Sequence, residues 1–320
     1  MSKDSSKRAF LERRILPEKL RSALTVPKVR LAYGARFSNK LHHSKKAPAH
    51  HSAEAADSRE PSKTPNSQLP TPSSSKIPWH PLAAVGLVIF AYFAAQLIGG
   101  LLVSIYPALR HWPAARANDW LNNSVPAQFA YVVLAEGLML LPLWFFLKHY
   151  KFSPAGLGLK RPKLEDIPYA LAGFAVYFAA YAVLLGVVTK LVPSLNVNQP
   201  QQVGFHNAQG VGQLVLTAIS LVVLPPLVEE TLMRGFLYTS LTKNLPKIAA
   251  ALMTSVIFAS AHLEFGSGAP LLWVAAIDTF TLSLVLCYLR EKTGRLSPGM
   301  LVHALKNSIA FASLFIFHLH

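Results

Sequence analysis

The stretch LPPLVEETLMRGFLY, Leu224 to Tyr238, sets two adjacent glutamates and an arginine inside a run that is otherwise almost wholly apolar. On an α-helix Glu230 and Arg234 lie one turn apart on a common face and can form an ion pair. Glu229 is turned about 100° away and is left for another partner. Pro225 and Pro226 carry no N–H, so the helix is expected to kink there, with the freed backbone groups satisfied by neighbours or water.

The surroundings make those charges costly. The chain has 320 residues, 52% hydrophobic and 14% charged, and its apolar residues fall in long uninterrupted runs. Pro81–Leu109 and Ile167–Thr189 contain no charged residue. A helix needs about 20 apolar residues to cross the hydrocarbon. Seven spans are expected, near 82–106, 127–147, 167–189, 211–242, 248–263, 269–289 and 296–317, with the fourth too long for one straight crossing. The fold class is therefore all-α, a polytopic transmembrane helical bundle of about seven spans, or eight if the fourth divides. A charge at the bilayer centre costs about 2.5–3.5 kcal/mol even on a lenient insertion scale, so such residues face the bundle interior and are paired.

The formal charge of +16 is concentrated in residues 1–76, which hold 16 Lys/Arg against 6 Asp/Glu among many Ser, Pro and His. That composition cannot bury a core, so 1–76 reads as a disordered basic cytosolic tail and 77–320 as the membrane domain. The basic balance belongs to the tail and loops beside a lipid bilayer, and no nucleic acid partner is expected. With the tail inside, the proposed cytoplasmic segments hold 26 Lys/Arg and the opposite loops 3, which places the C-terminus on the far side. The single cysteine, Cys287, excludes an intrachain disulfide. His42, His43, His50 and His51 read as solvated tail residues.

Polar residues recur at helical spacing in three spans. Phe258 and His262 in MTSVIFASAHLEF are separated by one turn, as are His303 and Asn307 in GMLVHALKNSIAF. Counted from Lys243, Lys247 and Arg295 as cytoplasmic markers, Glu229 and His262 lie about 21–22 Å deep, with His303 and Asn307 at about 12 and 18 Å. Helix tilt moves each by about 5 Å, so they can meet in one layer. A carboxylate and two imidazoles suit hydrolysis in either of two ways. They can hold a zinc ion that keeps one position open for water. Alternatively Glu229 activates water directly, with His262 assisting proton transfer and His303 and Asn307 stabilising the oxyanion. Asp278 reaches the same layer as a supporting group or a helix bridge; Glu136 and Lys306 read as polar contacts to neighbouring helices. No HExxH motif is present, which argues against a soluble-type zincin.

The ordered set EETLMR (229–234), FASAH (258–262) and HALKN (303–307) resembles the CAAX prenyl protease and bacteriocin-processing (CPBP, abortive-infection) family of intramembrane endopeptidases. Each motif alone is weak, and the three in order are specific. The resemblance covers about 150–320, including SPAGLGLKRPK (153–163), and Met233 stands where relatives often carry Phe. It implies a helical membrane protease acting on a peptide or a prenylated protein. Glu229, His262, His303 and Asn307 would be catalytic, Glu230 and Arg234 a structural pair, and Phe258 a packing residue. A metallo- and a glutamate-type mechanism both remain open for the family. Two other functions fit the same letters: a non-enzymatic scaffold or immunity protein that retains the polar core, and a proton-coupled carrier. The lack of an internal repeat weighs against the carrier.

Overall fold

The computed structural model describes residues 77–199, 204–263 and 270–318. The tail assigned to 1–76 lies outside them. The described chain is helical throughout, and six helices are long and apolar enough to cross a membrane. The protein is an integral, multi-pass membrane protein.

Helix α1 (Pro81–Leu109) starts where the His80 side chain accepts from Leu82 N–H and Pro81 fills the first turn. Its buried stripe of Ala84, Val88, Ala91, Ala95 and Gly99 is mostly small. Small side chains let helices approach closely where lipid offers no hydrophobic drive. A Cβ on Gly99 would lie 3.4 Å from Ala135 N, so α1 packs tightly on α3 (Val125–His149). Phe90, Phe93, Leu97 and Leu101 point outward, which in this chain means toward acyl chains. Between α1 and α3 lies α2 (Ala114–Asn123), an amphipathic helix that the hydropathy pattern does not announce.

Helix α4 (Asp166–Leu191) packs on the two C-terminal helices through Ala170, Gly173 and Tyr177. The long α5 (Gly210–Leu241) carries the opening motif. Its backbone widens into π-helical turns at Ile219–Val223, just before the two prolines, and at Thr231–Tyr238. Helix α6 (Lys247–Ser260) has only 14 residues, about 21 Å, where the sequence pattern suggested a longer span. Helices α7 (Trp273–Thr293) and α8 (Ser297–Ile316) complete the bundle.

Two knots lock the ends of these helices. Trp79 is 1% exposed, donates to Ser240 Oγ at 2.7 Å, and meets the rings of Phe146, Tyr150, Phe152 and Phe236. Lys243 Nζ donates to its carbonyl at 2.9 Å, so the start of α1 is fastened to the end of α5. The second knot fixes the loop before α4. Gly158 has φ +90, where a Cβ would sit 2.7 Å from the Arg290 guanidinium, and its carbonyl accepts from Leu296 N–H. Beside it, Arg295 donates to Asp166 from Nε at 2.8 Å and to Glu165 from Nη2 at 2.8 Å. Ser297 Oγ also donates to Asp166.

The hydrogen bond from Arg295 holds the Glu165 carboxyl below the ordinary glutamate range, and Lys163 adds to this. A carboxyl with a depressed folded-state pKa stabilises the fold above its ordinary value, and that share is lost as pH falls through the depressed one. The Asp166 side chain is only 1% exposed, so Asp166→Ala leaves Arg295 with Glu165 alone and the Ser297 hydroxyl without its acceptor, and lowers stability by about 1–3 kcal/mol. Glu165→Ala, at an exposed position, changes little. Thermal midpoints of the two purified variants check this, and equal losses would contradict it.

Candidate active site

The site is built on α5 and closed by α3, α6 and α8. Glu230 is fully buried and accepts from Arg234 Nη1 at 2.8 Å, the pairing that the spacing of the opening motif predicts. The same carboxylate oxygen faces His303 Nδ1 of α8 at 3.2 Å. The pair is thus a three-residue junction between two helices. Gly299 permits it, because a Cβ there would lie 3.2 Å from Glu230 Oε2. Phe258 of α6 stacks under the cluster: the Arg234 guanidinium lies 4.5 Å from its ring centroid, His262 4.9 Å and His303 6.2 Å.

Glu229 looks the other way, into a cavity of about 360 Å³ lined by His262, Glu136, Tyr92, Gln96 and apolar residues of α1, α3 and α5. One oxygen, Oε2, is buried with no hydrogen-bond partner among the described residues and lies 3.8 Å from His303 Nε2. His262, just past the end of α6, sets its Nδ1 2.9 Å from Phe258 O. A carbonyl accepts, so Nδ1 carries the proton and Nε2 keeps its lone pair. The structure therefore places Glu229 and His262 on one cavity and joins Glu229 to Glu230 and Arg234 through His303.

Asn307 has a different partner. The carbonyl of Leu221 would normally receive an N–H from four or five residues on, and those positions are Pro225 and Pro226. Asn307 Nδ2 donates to that carbonyl at 2.8 Å from α8. The amide has two N–H bonds, so one remains. Asp278 lies outside the cavity lining, bonded to Tyr177 of α4 and, at 3.0 Å, to Lys306 of α8, where it bridges three helices. Glu136, read from sequence as a helix contact, instead lines the cavity beside Glu229. Its position carries no spacing signal; the only clue was a lone carboxylate inside an apolar span. Among the described residues no three His, Cys, Asp or Glu side chains are grouped to hold a metal ion.

The helical membrane bundle thus sets two carboxyl side chains, Glu229 and Glu136, and the His262 imidazole on one cavity. Residues 211–309, which include all three motifs, match the family described as type II CAAX prenyl endopeptidase Rce1-like. The match is in keeping with the CPBP resemblance and supports a protease of the CAAX-endopeptidase kind. No curated protein and no solved structure matches the chain.

Replacing Asn307 tests its contact with the proline gap. Asn307→Leu removes the donor at similar size, leaves the Leu221 carbonyl unpaired, and costs about 1–3 kcal/mol. Asn307→Gln, which keeps an amide, costs less. Thermal midpoints that rank the two variants the other way would show that the carbonyl finds another donor.

Proposed function

We propose that the protein is an intramembrane endopeptidase in which Glu229 activates water against a peptide bond, with a prenylated or unmodified polypeptide as substrate. The observation that carries this reading is the shared cavity of Glu229, a side chain with no cation bonded to it among the described residues, and His262, whose Nε2 keeps its lone pair. Water held between them gives one proton to Glu229 and is oriented by His262 Nε2 through the other. The oxygen attacks the scissile carbonyl, and the C–N bond breaks as Glu229 passes its proton to the leaving amine. The spare N–H of Asn307 would stabilise the oxyanion, joined by His303 when both its nitrogens are protonated, since Nδ1–H is given to Glu230; a preorganised donor is worth about 10²–10³ in rate. Glu230 and Arg234 hold His303 and the helix register and exchange no proton with substrate.

We infer from the lysine and arginine distribution that the tail is cytoplasmic and the C-terminus lies on the opposite face. Cys287, the sole cysteine, is buried, so an engineered cysteine at Ser2 or His318 can be labelled from one side at a time. Labelling of both from the same side would refute the orientation.

The central test uses purified protein in bilayer nanodiscs with a farnesylated peptide ending in a CAAX tetrapeptide, and the same peptide without the lipid. Glu229→Gln, close to isosteric, lowers kcat by about 10²–10⁴ with the thermal midpoint retained. Wild-type rates in that variant would overturn the assignment. Chelation by phenanthroline leaves the wild-type rate unchanged under the glutamate mechanism. Loss restored by Zn²⁺ would instead assign Glu229, His262 and His303 as ligands of a metal.

A further inference from the structure

Glu136 lies outside the residues matched to the family and is not used by the mechanism above. It is 8% exposed, its Oε2 has no hydrogen-bond partner among the described residues, and it lines the cavity that contains Glu229. A buried carboxylate without a partner is costly, and buried charges are normally paired. The cations of the chain near this region are already engaged: Arg234 holds Glu230 at 2.8 Å, and Lys306 holds Asp278 at 3.0 Å. No Lys or Arg lines the cavity among the described residues, while two glutamates do. The walls beside them include the rings of Tyr92 and Phe258, surfaces that favour a cation over an anion.

We propose that Glu136 is a specificity-determining residue that receives a positively charged group of the substrate, the ammonium or guanidinium of a Lys or Arg near the scissile bond. The inference rests on the reading of this cavity as the peptide-cleaving site. It deepens that reading by naming what the second carboxylate binds.

Two measurements on the full-length protein in nanodiscs test it. In the first, the probe is n-hexylammonium, with hexanol as its uncharged counterpart. Hexylammonium raises the thermal midpoint of wild type by about 2–4 °C more than hexanol does, and Glu136→Gln removes the difference. No difference in wild type, or a difference kept in Glu136→Gln and lost in Glu229→Gln, overturns the proposal. In the second, the cleavage sites of a mixed peptide library are read by mass spectrometry. Wild type favours sites with Lys or Arg near the cut over neutral ones by about tenfold, and Glu136→Gln brings that ratio to about one. A ratio that survives the substitution overturns the proposal. If wild type cuts no peptide, the proposed function fails while the hexylammonium shift still decides whether Glu136 binds a cation.

Discussion

The structure turns on a carboxylate that water cannot reach. Glu230 is fully buried, and its charge is tolerable only because Arg234 and His303 meet one of its oxygens from two helices. Removing one partner of such a group leaves an uncompensated charge, which is far more damaging than never having built the pair. The junction therefore fixes the rotation of α5 against α8. With Glu230 turned to α8, the neighbouring Glu229 must face the space between α1, α3 and α6. One costly contact sets the direction of its neighbour.

The prolines of α5 act on the same interface. Their missing N–H groups free a carbonyl at Leu221, and α8 answers it with Asn307. His303 and Asn307, one turn apart on α8, thus engage α5 at two heights, the first through a charge and the second through a backbone gap. Asn307, expected from its spacing with His303 to serve chemistry, is thereby a strut between the two helices. The two roles are compatible, because the amide has a second N–H.

Much of this was legible in the letters. The i, i+4 pairing of Glu230 with Arg234 follows from helical geometry, and the long apolar runs announce their own helices. The prolines signalled that some backbone group would need help, although the helper could not be named, since Asn307 lies 86 residues away. Glu136 was harder. It has no partner at helical spacing and sits on a helix outside the motifs, so only the packing of α3 against α5 reveals which space it shares. The end of α6 was read three residues late, at 263 where the helix stops at Ser260, because the sequence around Ala261 carries no Gly or Pro to mark a stop. Amphipathic α2 has too few residues and too little hydropathy to stand out between two strong spans.

The indole at position 79 sets a limit on how the chain can be shortened. It plugs a ring of aromatic side chains contributed by segments far apart in sequence, and its carbonyl anchors the lysine that follows α5. A protein trimmed to begin at Ile77 retains that stopper. One trimmed only a few residues further would open a hole at the membrane-proximal end of the bundle, whatever the deleted segment itself contributes.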